Sequence, residues 1–155
     1  MIEKMILISH RGNLNGPDQS QENSPAYIEK TLAAGFNVEV DVWYTENGLF
    51  LGHDDPRYEI SISFLKDERV WCHAKNVDSL KEMLLNNIHC FWHQEDDVAL
   101  TSQGYIWTYP GKSLTDKSIC VLPEKANYSS INCAGICSDY IGKYKEKRYD
   151  MRVNR

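Results

Sequence analysis

The 155-residue chain has no long hydrophobic run, no excess of basic residues and no tract rich in proline or glycine. Met5-Ile6-Leu7-Ile8, the apolar run near the start, is too short for a signal-peptide core or a membrane span. Lys plus Arg number 17 against 22 Asp plus Glu, for a net charge of -5. That balance argues against nonspecific nucleic-acid binding, which relies on a basic surface. It leaves room for an anionic substrate, because a local Arg, Lys or cation overrides the global sign. The five cysteines, Cys72, Cys90, Cys120, Cys133 and Cys137, are odd in number and come without a secretion signal. Reduced thiols in a cytoplasmic protein are therefore expected. With no repeats and no linker, residues 1–155 read as a single domain.

What is present is ordinary for a globular protein with a buried core: 42% hydrophobic and 25% charged residues. Met5 to Ser9 reads as a buried strand ending at His10-Arg11-Gly12, followed by a loop to Gln21. Ser24 caps a helix with Pro25 at its first position and Gly35 past its end. Phe36 to Trp43 reads as a strand, Glu46-Asn47-Gly48 as a turn, and Leu49 to Gly52 as a short strand ending at His53-Asp54. Asp55 to Arg69 has no clear pattern. Val70 to Lys75 reads as a strand and Asp78 to Asn86 as a helix. Ile88 to His93, Tyr105 to Thr108, Ile119 to Leu122 and Gly135 to Ser138 read as further strands. The charged stretch from Lys143 to Arg155 reads as a solvated helix or a fraying tail. Alternating strands and helices imply parallel β/α units.

One strand stands apart. Side chains alternate along Phe36 to Trp43, so Val38, Val40 and Val42 share one face while Glu39 and Asp41 share the other. Two neighbouring carboxylates on an inner face repel and lose solvation unless a cation compensates. A solvated edge strand is the plainer alternative. His10 and His53 end their strands, and Trp71, His73 and Lys75 share a strand face. Strand carboxyl ends build the site in parallel β/α folds, so these groups are expected at one rim.

The motifs His10-Arg11-Gly12, Glu22-Asn23-Ser24, Glu39-Val40-Asp41-Val42, Thr45-Glu46-Asn47-Gly48 and His53-Asp54 resemble, in order and spacing, those of glycerophosphodiester phosphodiesterases. His73-Ala74-Lys75 resembles that family's E-x-K strand, and Gly135 to Tyr140 its closing strand. Residues 87–128 align with nothing in it. The resemblance implies a TIM-type (β/α) barrel, here reduced or incomplete with several helices missing or shortened, since such barrels usually take about 250 residues. It implies Glu39 and Asp41 as metal ligands, His10 and His53 as an acid/base pair, Arg11 and Lys75 as holders of the phosphate, and Glu22 as support. The expected partner is a small phosphodiester, in a hydrolase of lipid metabolism.

His73 stands where the family has its third metal-binding carboxylate. The expected cofactor is Mg²⁺ or Ca²⁺, with Mn²⁺ or Zn²⁺ admitted by an imidazole ligand. A short barrel with uncovered apolar faces favours a homodimer. Trp107 reads either as an apolar wall for the substrate alcohol or as core. His93 and Glu95 follow a strand end, where a rim role and a plain turn are both open. The spacing of Cys72, His73, His89, Cys90 and His93 fits no closed structural zinc pattern. Ser9 lacks the GxSxG context of a serine hydrolase. Two functions remain: a metal-dependent phosphodiesterase, or a degenerate, non-catalytic barrel that binds a phosphorylated ligand or a partner protein.

Overall fold

Alternation of apolar and polar side chains fixes the middle of the sheet. A computed structural model describes residues 4–145. Its central strand, β2 (Asn37–Thr45), points Val38, Val40 and Val42 into an outer core and Glu39 and Asp41 inward. One edge of β2 pairs in parallel with β5 (Val70–Ala74). The other pairs first with β1 (Ile6–His10), in parallel, and then with β3 (Gly48–Leu51), antiparallel. β4 (Tyr58–Ile60) extends that hairpin, and β6 (Cys90–Phe91) pairs in parallel with β5. Beyond β1 the sheet continues in parallel through β10 (Gly135–Ser138), β9 (Ser118–Val121) and β8 (Ile106–Thr108), and ends in antiparallel β7 (Val98–Leu100).

Two helices cover part of the outer face. In α1 (Pro25–Ala33) the Ser24 side chain accepts the Tyr27 N–H and Pro25 occupies the first position, as expected. In α2 (Val77–Leu85) Asn76 and Ser79 cap each other reciprocally. Ile28 and Met83 from these helices pack on the Val38, Val40 and Val42 face. The inner face holds a second core of Ile8, Trp71, Phe91, Trp107, Ile119, Val121 and Cys137. Although β6 and β8 are not paired, the Phe91 and Trp107 rings stack at 4.6 Å. The sheet thus curls around an aromatic interior.

This corrects the expected TIM-type (β/α) barrel. The fold is a curled, mixed β-sheet half-barrel, and α1 and α2 are the two short α-helices among the described residues. Between the strands that follow α2 the described residues form loops and one 3-10 turn at Pro123–Lys125, and a further 3-10 turn, Ile141–Lys143, follows β10. The physical reason lies in those connections. Residues 109–117 carry Pro110 and Gly111 with no helical apolar period, and residues 126–134 are rich in Asn and Ser. The hairpins of β2 with β3 and β7 with β8 add the antiparallel pairs. Ile62–Lys66, in the stretch without a clear pattern, forms one 3-10 turn. Most of the charged C-terminal stretch, 146–155, lies outside the described residues.

His89 sits inside this interior at 4% exposure, against Trp71 at 4.3 Å, with Nε2 2.8 Å from Thr101 Oγ1. Burial pushes its pKa down to about 4 from 6.5. The unfolded chain therefore takes up a proton that the folded chain refuses, and stability falls as pH drops from 6.5 towards 4. His89→Gln keeps a hydrogen-bonding group without that proton. Its stability between neutral and acid pH is expected to fall less than the parent's, by roughly 2 kcal/mol, in paired urea titrations. Equal losses in both proteins would refute this role for His89.

Candidate active site

The rim is built first by a sharp turn after β1. Arg11 and Gly12 take φ of 61° and 98°. A Cβ at position 12 would lie 2.5 Å from Tyr27 Cδ1, so only glycine fits. The turn swings Arg11 back over β2, its Nε 3.1 Å from Asp41 Oδ2. Asn23, also left-handed at φ 66°, bonds the Arg11 carbonyl through its N–H. Its side chain then holds Asp41 twice: Nδ2 donates to Oδ2 at 2.9 Å, and Oδ1 accepts the Asp41 N–H at 2.9 Å. Two non-glycine residues in an unfavourable conformation thus converge on one carboxylate, as functional sites often require.

The register of β2 with β5 sets Asp41 beside His73 and Glu39 beside Trp71. Glu39 and Asp41 are 2% and 0% exposed. His73 Nδ1 lies 3.2 Å from Asp41 Oδ1, and its Nε2 lies 3.0 Å from the His93 carbonyl. Glu39 Oε2 and Asp41 Oδ1 are buried without a hydrogen-bond partner. Ligand atoms of Glu39, Asp41 and His73 fall within 4.8 Å of one another. Burial, together with the charge of Asp41, pushes the Glu39 carboxyl up to about 7. Burial acts the same way on Asp41, but His73, Arg11 and Asn23 outweigh it and hold that carboxyl well below the usual range.

His10 is oriented from the other side. Its Nδ1 is 2.7 Å from Asp139 Oδ1, and its Nε2 is 3.8 Å from Glu39 Oε2. Burial disfavours the charged ring, yet the bond to Asp139 and the charge of Glu39 leave the His10 pKa raised. Asn13 Nδ2 donates to Asp139 at 2.9 Å and to Glu22 Oε1 at 2.8 Å, and its Oδ1 accepts from the Tyr27 hydroxyl. Glu22 Oε2 is 4.0 Å from Arg11. Glu124 accepts the Asp139 N–H and the Ser138 hydroxyl, which fixes the end of β10.

His10, Arg11, Glu22, Glu39, Asp41 and His73 are therefore brought together. Lys75 follows the end of β5, its N–H bonded to the Val42 carbonyl, and its ammonium has no hydrogen bond or ion pair among the described residues. His53 follows Gly52, whose N–H bonds the Asp41 carbonyl at 3.1 Å. The His53 ring itself is exposed and pairs with Asp54 at 2.8 Å, without touching His10 or the carboxylates. Trp107 lies in the aromatic interior at 6% exposure. The sequence reading missed Asp139, Asn13, Asn23 and Glu124 as site residues. Asn23 and Asp139 lay inside motifs already singled out, whereas nothing local marked Asn13 or Glu124.

Chemically, two carboxylates and an imidazole form a mixed O/N donor set fit for a divalent cation. A carboxylate-oriented histidine is fit to move a proton, and Arg11 brings a positive charge to the rim. Comparison with protein-family models, curated proteins and solved structures yields no match.

Proposed function

We propose that the chain is a metal-dependent phosphodiester hydrolase acting on a glycerophosphodiester-like substrate. The observation that carries this reading is the buried Glu39 and Asp41 pair, each with an oxygen lacking a partner, beside a histidine oriented by Asp139. Orphaned buried carboxylate oxygens are costly unless a cation completes them, so the residues fit a divalent ion held by Glu39, Asp41 and His73. Such an ion, once bound, stabilises the charge that gathers on phosphate oxygens as the bond breaks.

The chain's own residues do the rest. Arg11 and Lys75 hold the phosphate and balance its charge, with Glu22 keeping Arg11 in place. His10, its Nδ1 fixed by Asp139, uses Nε2 to take the proton of the attacking hydroxyl. The new O–P bond forms as the bond to the alcohol breaks, and His53 protonates the departing alkoxide. A hydroxyl vicinal to the phosphate is the favoured nucleophile, because it is already held near phosphorus, and it gives a cyclic phosphate first. The same reading places the enzyme in the cytoplasm, where five free thiols persist. No helix among the described residues is long and apolar enough to cross a membrane.

Phosphorus NMR of a glycerophosphodiester with chelated and cation-loaded protein tests the proposal. Cation-dependent turnover through a cyclic species is expected, and loss of turnover in Glu39→Gln with Asp41→Asn. An analogue without the vicinal hydroxyl is expected to react far more slowly, and equal rates would exclude the cyclic route. Absence of turnover with Mg²⁺, Ca²⁺, Mn²⁺ and Zn²⁺ alike would overturn the hydrolase reading. Cation-dependent binding of the intact diester would then favour the non-catalytic alternative. A homodimer is also part of the proposal: Val77, Leu84 and Leu85 on α2 are 69%, 52% and 68% exposed. Light scattering that returns a monomer mass at every dilution would remove it.

A further inference from the structure

His73 carries an inference about which cations the site takes. It rests on the reading of Glu39, Asp41 and His73 as a cation site. The imidazole is clamped on three sides. Its Nε2 faces the His93 carbonyl at 3.0 Å. A carbonyl only accepts, so Nε2 carries the proton and donates it. The ring lies parallel to Phe91, with centroids 5.1 Å apart and planes 5° from each other. Its Nδ1 faces Asp41 Oδ1 at 3.2 Å.

With the Nε2 proton assigned, a neutral ring turns the Nδ1 lone pair towards a carboxylate lone pair. Two acceptors in that arrangement repel unless something positive lies between them: a proton on Nδ1, which makes the ring an imidazolium paired with Asp41, or a cation that takes that proton's place. Asp41 cannot turn away, because Asn23 and Arg11 hold its other oxygen. Nor is Asp41 Oδ1 satisfied elsewhere, since it is buried without a hydrogen-bond partner, as is Glu39 Oε2. A ring nitrogen free of its proton, with the other nitrogen donating to a backbone carbonyl, is the arrangement in which metal-binding histidines are held. The span of 4.8 Å among the three ligand groups is one that a single cation bridges, with ligand bonds of about 2.0–2.4 Å, after small shifts.

We infer that His73 Nδ1 is a direct ligand and that this nitrogen sets the site's cation preference. Mg²⁺ and Ca²⁺ favour all-oxygen donors, whereas Mn²⁺ and Zn²⁺ accept imidazole readily. The site is therefore tuned towards transition metals rather than the alkaline-earth ions. Tight Zn²⁺ binding alone would not prove this, because almost any N/O site prefers Zn²⁺ to Mg²⁺. The telling quantities are the ligand atom itself and the change in preference when it becomes oxygen.

The test uses the full chain stripped with chelator and loaded with Mn²⁺ as the probe. Pulsed electron paramagnetic resonance reads nitrogen bound to Mn²⁺, and titration with Mg²⁺ competition reads the relative affinity. His73→Gln and His73→Glu are compared with the parent, their folds checked by circular dichroism. The parent is expected to show one directly bound imidazole nitrogen, absent from both variants. The preference for Mn²⁺ over Mg²⁺ is expected to fall at least about tenfold in His73→Glu. If the parent binds Mn²⁺ through Glu39 and Asp41 but shows no nitrogen, the inference is overturned and the cation site stands. A nitrogen signal that persists in both His73 variants overturns it as well. Should Glu39→Gln with Asp41→Asn bind Mn²⁺ as tightly as the parent, the cation site itself is refuted and the inference with it.

Discussion

His10→Ala is expected to lower turnover of a glycerophosphodiester by about a hundredfold or more while the fold survives. The ring lies at the end of β1, where its removal leaves a polar gap at the rim and spares the Ile8 core beneath. Its role as base, with His53 as acid, is separable by the leaving group. A diester that releases nitrophenolate needs no proton on departure. On that substrate His53→Ala is expected to retain nearly full rate, while His10→Ala remains slow. Asp139 acts through His10, so Asp139→Asn is a test of positioning. The bond from Asp139 raises the His10 pKa. Without that charge His10 loses its proton more readily, and the acid limb of kcat/KM moves to lower pH. If both histidine variants respond alike to the leaving group, or the limb stays in place, the assignment of His10 as the oriented base is wrong.

The residues that were legible in the sequence are those whose signal is local. Alternation along β2 placed Glu39 and Asp41 opposite Val38, Val40 and Val42, and the register with β5 then delivered His73 to the same face. Ser24-Pro25 announced α1 by capping chemistry alone. The parallel pairing of the core strands also agrees with the pattern. The β/α units implied by the early alternation of strands and helices do not continue past α2, because nothing in 109–117 or 126–134 repeats at a helical period. β7 escaped notice since Val98-Ala99-Leu100 offers only three residues between an acidic turn and Thr101-Ser102. The bond between His10 and Asp139 joins residues 129 positions apart, and only the closing of the sheet reveals it. The placement of the His53 ring depends on the bend after Gly52, which no period encodes.

Glu39→Gln is expected to abolish the response to cations and, in their absence, to make the protein more stable. The sign follows from the direction of the shift. Burial and the neighbouring Asp41 charge raise the Glu39 carboxyl from 4.5 to about 7, so the folded chain keeps a proton that the unfolded chain has already released. That stabilisation is fully present below 4.5 and is lost as pH rises through 7. Glutamine carries no charge to bury. In chelator the variant's advantage is therefore small in mild acid and grows to on the order of 2 kcal/mol in mild base, measured by urea or thermal unfolding. Saturating Mn²⁺ reverses the order: at a hundred times its Kd it adds about 2.7 kcal/mol to the parent, and close to nothing to the variant. Asp41→Asn behaves differently, because Asp41 is ionised and holds Arg11, Asn23 and His73. It is expected to lower stability in chelator at every pH, since Arg11 loses its buried counter-charge. A Glu39→Gln protein less stable than the parent in both mild acid and mild base, with an undiminished Mn²⁺ response, would show that Glu39 is not held in wait for a cation.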